Sequence, residues 1–193
     1  MKSTINHPEE SLSIIQEMIA KSRKTFHRNS FYFILWGVFM FIAGLSEFFL
    51  IRANFEMFWI GWPILGTLGG IISAVYSSRQ SAKDAGQTFT DQTIGYVWLT
   101  YGISLICMIF TGILVDVNPG TLVMLLTGLP TFLTGTIIRH KPLIFGGIVF
   151  WIGGLLSLFT EPQYVPLIFS TAILLGYLYP GFTLLSAEKN QNV

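Results

Sequence analysis

The stretch at residues 121–159 constrains the fold most, because it holds two long runs without a charged residue on either side of the tetrapeptide RHKP. The runs, 121–138 and 143–159, are each close to the ~17 to 25 residues that cross the hydrocarbon core of a bilayer as a helix. The tetrapeptide is too short for anything except a tight turn. The pattern predicts a transmembrane helical hairpin, and the two cations in its turn predict that the turn is cytoplasmic.

The composition extends this prediction to the whole chain. Of 193 residues, 52% are hydrophobic and 11% are charged, whereas soluble domains have ~25% charged residues. Most of the surface must therefore face lipid, where the backbone must be helical because hydrocarbon offers no partner for a free N–H or C=O. A membrane β-barrel would need ~10-residue segments of alternating polarity, but the apolar runs here are continuous. The sequence predicts an all-α membrane protein.

Apolar runs along the chain predict six transmembrane helices in three hairpins. Both termini are predicted to be cytoplasmic, because that arrangement places every Lys and Arg except Arg52 inside. The first apolar run is far longer than the ~7 to 15-residue core of a signal peptide, which predicts a permanent helix. A cytoplasmic or interfacial segment at 1–30 and a cytoplasmic tail at 187–193 flank a transmembrane domain at 31–186, with helices at 31–51, 57–77, 94–115, 121–138, 143–159 and 165–185.

Two further features concern the ends of these helices. Residues 78–93 are polar and are predicted to form the longest loop. The dipeptide Pro180-Gly181 lies near the end of the sixth predicted helix, where it predicts either a kink or an early stop.

The polar segment at 1–30 predicts a short amphipathic helix ahead of the first span. Pro8 and Glu9 suit a helix start, and basic residues follow near the other end of the segment. The apolar residues at three- and four-residue spacing are Leu12, Ile15, Met18 and Ile19. Such a helix lies on the inner leaflet with its cations near anionic headgroups, or docks on another protein, or pairs with itself. The sequence leaves these alternatives open.

Glu47 is the only acidic residue inside a predicted span. An ionisable group in a membrane helix is usually functional, so Glu47 is a candidate substrate, cation or proton site. A carboxylate at the bilayer centre costs about 2.5 to 3.5 kcal/mol, and the cost falls near the interface. Because Glu47 lies near the outer end of its helix, exposure to water or an ion pair with Arg52 is the favoured explanation, and the functional site is the alternative.

Small residues recur in rows that are typical of close helix packing. These rows are Gly66 and Gly70; Thr127, Thr131 and Gly135; and Gly146, Gly147, Gly153 and Gly154. The alternative is that small residues mark broken helices around a substrate, as in transporters. Pro130, beside Gly128, is the residue that would provide such a break.

Sequence motifs for chemistry are absent. The chain has no HExxH, no GxSxG, no Walker motif and no dinucleotide fingerprint. Its single cysteine, Cys107, has no disulfide partner, and its cations form no nucleic-acid surface. The three histidines are far apart in sequence, and His140, between two cations, is interpreted as an interfacial anchor. We expect no catalytic residue, no metal, no cofactor and no nucleic-acid partner.

The chain contains the blocks NSFYFILWGVFMFIAGL, GYVWLTYGISL, LPTFLTGTIIRHKPLIFGGIVFWIGGLLSLF and LLGYLYPG. Through them it resembles small six-helix proteins of the bacterial inner membrane. The resemblance implies a multi-pass protein of the bacterial cytoplasmic membrane with no known activity, so it assigns no functional residue.

These observations favour a non-enzymatic regulatory or scaffolding membrane protein. In this hypothesis the six-helix bundle anchors the N-terminal helix for a cytosolic or membrane protein partner. The alternative is a small transporter or channel that uses Glu47 and a helix break at Pro130. The sequence does not fix the oligomeric state, and a homo-oligomer is among the alternatives.

Overall fold

The computed structural model describes the backbone of residues 8–83, 89–115 and 118–190, and the side chains of residues 30–80, 89–115 and 118–186. Predictions that concern residues 1–7, 84–88, 116–117 and 191–193, and the apolar face of the N-terminal helix, lie outside this description. Within the described backbone all regular secondary structure is helical and no strand occurs. The predicted all-α class is therefore confirmed.

Seven α-helices follow one another in the described parts of the chain. They are α1 (Pro8–Arg52), α2 (Gly61–Lys83), α3 (Phe89–Leu114), α4 (Pro119–Ile137), α5 (Lys141–Ser157), α6 (Val165–Ile173) and α7 (Tyr179–Asn190). A π-helical turn, Leu174–Leu178, joins α6 to α7 without a break. Short 3₁₀ turns at Phe58–Ile60 and Pro162–Tyr164 precede α2 and α6.

Five helical segments of the described chain are long and apolar enough to cross a membrane, which suits a multi-pass membrane protein. They are Ser30–Arg52, Phe58–Gln80, Phe89–Leu114, Pro119–Ile137 and Pro162–Ser186. Each overlaps one of the predicted spans. The fifth predicted span corresponds to α5, which is apolar but has only 17 residues.

The N-terminal helix is not a separate element. Helix α1 begins at Pro8, where the sequence predicts a helix start, and continues to Arg52 over 45 residues, or ~67 Å at about 1.5 Å per residue. No glycine or proline occurs between Pro8 and Gly37 to end or kink it. The prediction of a short helix ahead of the first span is therefore wrong, because the polar segment and the span form one helix.

The loop predicted at residues 78–93 is mostly helical as well. Helix α2 continues to Lys83 and α3 already begins at Phe89, while the tail predicted from 187 is helical as far as Asn190. Polar residues end a membrane span, but residues such as Ser, Gln and Lys are tolerated in a helix. Hydropathy therefore predicted where the apolar runs lie, but the helix boundaries that it predicted here were wrong.

Pro180 does not stop the last helix. The irregularity lies just before it, where the Tyr179 N–H bonds to the carbonyl of Leu174 five residues earlier. A proline cannot donate to the α-helical ladder, and a single π turn is a common way to insert such an irregularity into a helix. Helix α7 then continues through Gly181, so the predicted early stop is wrong.

The core lies between α1, α4, α5 and the α6–α7 helix. Its buried apolar side chains include Phe33, Met124, Leu143, Phe150, Phe169, Ile173, Tyr177 and Leu184. Helix α2 packs mainly on α1, and α3 mainly on α4. The outward faces of these two peripheral helices carry exposed apolar residues such as Leu68, Ile71, Leu99 and Ile103, as expected for faces in contact with lipid.

Glycines bring α4 and α5 into backbone contact. A Cβ at Gly147 would lie 2.6 Å from Phe132 Cβ and 2.8 Å from the Gly128 carbonyl oxygen, and a Cβ at Gly135 would lie 2.6 Å from the Ile144 nitrogen. The predicted packing rows on α4 and α5 are confirmed.

The predicted row on α2 is wrong within this chain. A Cβ at Gly66 or Gly70 would meet nothing within 4 Å, whereas a Cβ at Gly69 would lie 3.3 Å from the Trp36 ring of α1. The two glycines of the GxxxG motif lie away from the neighbouring helix, so helix packing within this chain does not explain them.

Candidate functional site

Glu47 lies in the last two turns of α1, at the Arg52 end of the bundle. Its side chain is half-buried, and its Oε2 accepts a hydrogen bond of 2.8 Å from Trp62 Nε1 at the start of α2. A hydrogen bond to an ionised acceptor is roughly twice as strong as one between neutral groups. The carboxylate therefore fastens the first helix to the second.

The surrounding residues make this contact feasible. Gly61 lets the chain approach α1 closely, because a Cβ there would lie 2.6 Å from Ser46 Oγ. The indole of Trp62 then packs edge-on against Phe169 of α6, with ring centroids 4.9 Å apart. The Glu47–Trp62 contact thus joins three helices at this end of the bundle.

Arg52 does not pair with Glu47. Its guanidinium carbon lies 5.1 Å from the centroid of the Phe48 ring, in cation–π geometry. The ion pair considered from the sequence is absent among the described side chains, and the partner of Glu47 is a neutral indole.

Helix α4 carries the second candidate region. It continues through Pro130 without interruption, and Pro130 itself is buried. Thr127 and Thr131 donate hydrogen bonds to the carbonyls of Val123 at 2.6 Å and Thr127 at 2.8 Å. These are the i to i−4 hydrogen bonds that Ser and Thr side chains commonly make to their own helix. The predicted helix break at Pro130 is therefore wrong.

The buried residues Thr127, Thr131 and Thr134 form a hydroxyl row along α4, and each has an aromatic partner. Tyr101 Oη and Thr127 Oγ1 are 2.9 Å apart, and Trp98 Nε1 donates to Thr134 Oγ1 at 3.2 Å.

Tyr177, in the π turn, bonds to Thr131. The hydroxyl row thus binds α3 and the α6–α7 helix to α4, and its polar groups satisfy one another.

The structure does not bring the two transport candidates together. Glu47 bonds to Trp62 near the end of α1, whereas Pro130 lies towards the middle of α4 beside the hydroxyl row. Among the described residues, none bonds both to Glu47 and to the row. The arrangement therefore contains two separate polar contacts rather than one constellation.

His140, in the turn between α4 and α5, connects this turn to α7. Its Nε2 lies 3.1 Å from Thr183 Oγ1, and Thr183 in turn donates to the Pro180 carbonyl at 2.8 Å. Burial lowers the pKa of His140 from its ordinary value of 6.5, while a hydrogen bond to the Pro180 carbonyl opposes the shift. The imidazole is therefore a structural link between this turn and α7.

No group of three or more His, Cys, Asp or Glu side chains that could hold a metal ion occurs in the part of the chain that the structure describes. Comparisons with protein-family models, curated proteins and solved structures found no match to this chain. The interpretation of the site therefore depends on the geometry alone.

Sequence reasoning missed the aromatic partners of both polar regions. No pattern in the sequence pairs Trp62 with Glu47, or pairs Trp98, Tyr101 and Tyr177 with the hydroxyl row. One chemical rule could have indicated that these residues form hydrogen bonds, since buried Tyr and Trp side chains usually find a partner for their O–H or N–H. Which partner each one finds depends on helix packing that no local pattern encodes.

Proposed function

We propose that this protein is a non-enzymatic membrane scaffold that presents the N-terminal part of α1 to a cytosolic or membrane protein partner. The observation that carries the proposal is the continuity of α1. Only Ser30–Arg52 is needed to cross the membrane, so residues 8–29 extend the same helix by roughly 33 Å at about 1.5 Å per residue.

A continuous helix favours docking over an interfacial position. To lie on the membrane surface, residues 8–29 would have to turn sharply away from the span, and sharp kinks occur almost always at Pro, Gly/Ser pairs or π turns. Residues 9–29 contain no proline or glycine and are assigned α-helix throughout. A helix that projects beyond the membrane offers its apolar stripe at Leu12, Ile15 and Ile19 to another protein.

The packing of the bundle also supports an anchoring role. The hydroxyls and indoles of the interior bond to one another, as Tyr101 does to Thr127. The region of Pro130 is filled, since Gly128 lies against the Trp151 indole. The alternative function, transport through Glu47, is supported by one feature, the half-buried carboxylate itself.

The proposal includes a membrane orientation. We place the protein in the bacterial cytoplasmic membrane with six spans in three hairpins, α5 being the fifth span, and with both termini in the cytoplasm. The positive-inside rule and the resemblance drawn from the sequence support this placement.

The test is crosslinking and affinity capture from native membranes. We expect the full chain to capture a specific protein that a chain lacking residues 1–25 does not capture. A triple variant, Leu12→Ser, Ile15→Ser and Ile19→Ser, should lose the same protein, because it removes the apolar stripe and keeps the length and charge.

The matched control changes polar positions of the same segment, Ser13→Ala and Gln16→Ala. This variant should capture the partner as the full chain does. If the deletion and the triple variant leave every captured protein unchanged, or if the chain captures only itself, the scaffold proposal fails and transport through Glu47 becomes the leading hypothesis.

A further inference from the structure

Two apolar grooves adjoin each other at the Ser30 end of the bundle, and Phe31 lines both. The first lies between α1 and α7, has a volume of about 360 Å³, and is lined by Ser30, Phe31, Ile34, Leu35, Val38, Phe39 and Leu185. The second lies between α1 and α2, has a volume of about 260 Å³, and is lined by Phe31, Ile71, Ile72, Val75, Tyr76 and Arg79. Phe31 is therefore shared by two apolar grooves at this end of the bundle.

A cation lies at the end of the second groove. Arg79 is exposed and belongs to the last turn of the apolar segment Phe58–Gln80, which places it at headgroup depth. The neighbouring Tyr76 stacks on Phe31 with ring centroids 3.9 Å apart, so an aromatic pair supports the groove just below the cation.

We propose that these grooves bind an anionic phospholipid, with its acyl chains on either side of Phe31 and its phosphate on Arg79. The walls are almost entirely aliphatic or aromatic, which suits hydrocarbon chains. A guanidinium can donate two parallel hydrogen bonds to phosphate oxygens. Tyrosine is enriched at the same depth as lipid headgroups.

The dimensions favour a lipid over a protein helix. Sites for compact small molecules have volumes of ~300 to 1,000 Å³, and each groove is at or near the lower limit of this range. A partner helix is about 10 Å wide with its side chains, too wide for a cleft between two helices in direct contact. The proposal does not depend on the scaffold function, which concerns residues 8–29.

The test is native mass spectrometry of the purified full chain in detergent, titrated with dioleoyl phosphatidylglycerol or dioleoyl phosphatidylcholine. The two lipids have the same chains and differ in net charge. We expect phosphatidylglycerol to bind about fivefold more tightly, the factor that corresponds to about 1 kcal/mol per cation near anionic lipid. Equal affinities for the two lipids would contradict the role of Arg79.

Two pairs of variants locate the site. Arg79→Gln should lower the affinity for phosphatidylglycerol to that for phosphatidylcholine, while Arg139→Gln, which removes another exposed cation in the α4–α5 turn, should not. Val75→Phe should lower the affinity for both lipids by filling the groove, while Ile64→Phe, at an exposed apolar position of the same helix outside the groove, should not. Equal losses within either pair would mean that binding is not at this site and would overturn the proposal.

The source of the phosphate is tested separately. Soluble glycerol phosphate should not displace the lipid, since it lacks the chains that fill the grooves. Displacement by glycerol phosphate, together with unchanged binding by the Val75→Phe variant, would show a free phosphate site and overturn the lipid assignment. Unchanged unfolding temperatures of all four variants provide the control for folding.

Discussion

Trp62 stabilises the Glu47 carboxylate, because its indole N–H donates a hydrogen bond to this half-buried group. Trp62→Phe keeps an aromatic ring against Phe169 and removes the donor. Leaving a buried acceptor without its partner costs about 1 to 3 kcal/mol. We therefore expect this variant to unfold at a lower temperature in detergent, as measured by circular dichroism.

A double-mutant cycle separates the contact from other effects of the substitution. Glu47→Gln keeps an acceptor for Trp62 and removes the charge, so it should be milder than Trp62→Phe. Adding Glu47→Gln to Trp62→Phe should recover part of the lost stability, since the uncompensated charge disappears. Additive losses would show that the two side chains do not interact.

A flux assay on Glu47→Gln in the same preparation tests transport. If Glu47 takes part in transport, the flux through the variant should be lower than that through the wild type.

His140 makes stability depend on pH in a defined direction. Burial lowers the pKa of this imidazole below 6.5 in the folded protein, so between the folded and unfolded pKa values the unfolded chain binds more protons. Its contribution is therefore present above about pH 6.5 and is lost as the pH falls through the folded pKa. We expect the unfolding temperature to decrease between pH 8 and pH 5.

The variant His140→Gln isolates this contribution from all other titrating groups. Glutamine keeps a polar side chain in reach of Thr183 and does not titrate. As the pH falls, the unfolding temperature of the wild type should therefore decrease more than that of the variant. A difference that is constant over this range would contradict the assignment.

At the scale of helices, close backbone contact between α4 and α5 is the most sensitive feature. A Cβ at Gly128 would meet the Trp151 indole and would lie 2.9 Å from the Gly147 carbonyl oxygen. Trp151 would have to move, which would weaken or break its 3.1 Å hydrogen bond to the Leu125 carbonyl. Overpacking of this kind costs about 1 to 3 kcal/mol, so Gly128→Ala should lower the unfolding temperature clearly.

Gly70→Ala is the matched control for Gly128→Ala. Gly70 is also a glycine within a membrane helix, but a Cβ there meets nothing within 4 Å. Alanine is better than glycine in a helix by about 1 kcal/mol, so this variant should be neutral or slightly stabilised. A clear loss of stability in Gly70→Ala would mean that α2 packs against something beyond this chain, such as a second copy.

The helices show which features the sequence could predict. Hydropathy predicted the long apolar helix α4, because suitability for hydrocarbon depends on local composition. Small residues predicted its contact with α5 through Gly135 and Gly147. The same rule failed at Gly66 and Gly70, since a row of small residues permits close packing but does not supply the neighbouring helix.

The candidate site was less predictable for a related reason. Glu47 was identified because a carboxylate in an apolar run is unusual at the level of sequence. Its partner Trp62 comes from another helix, and the choice between Trp62 and Arg52 depends on side-chain directions at the end of α1. The π turn before Pro180 was equally hidden, because the sequence shows the proline but not how the preceding turn accommodates it.

At the scale of the whole molecule, the length of α5 decides whether the chain has six spans or five. Its 17 residues extend ~26 Å at about 1.5 Å per residue, a few Å less than the ~30 Å hydrocarbon core. A short helix crosses when the bilayer thins locally or when flanking residues reach the interface, at a cost of fractions of a kcal/mol per Å. Lys141 and Pro142 at one end and Thr160 at the other are suited to that role, so we expect α5 to cross.

Cysteine labelling in intact cells tests this expectation, with the native Cys107 replaced by serine. The Gln163→Cys variant places a thiol in the exposed 3₁₀ turn after α5, and Arg139→Cys places one in the exposed turn before it. If α5 crosses and the termini are cytoplasmic, a membrane-impermeant maleimide should label position 163 in intact cells and position 139 only after permeabilisation. Labelling of both positions under the same condition would place the two turns on one side of the membrane and leave five spans, with the termini on opposite sides.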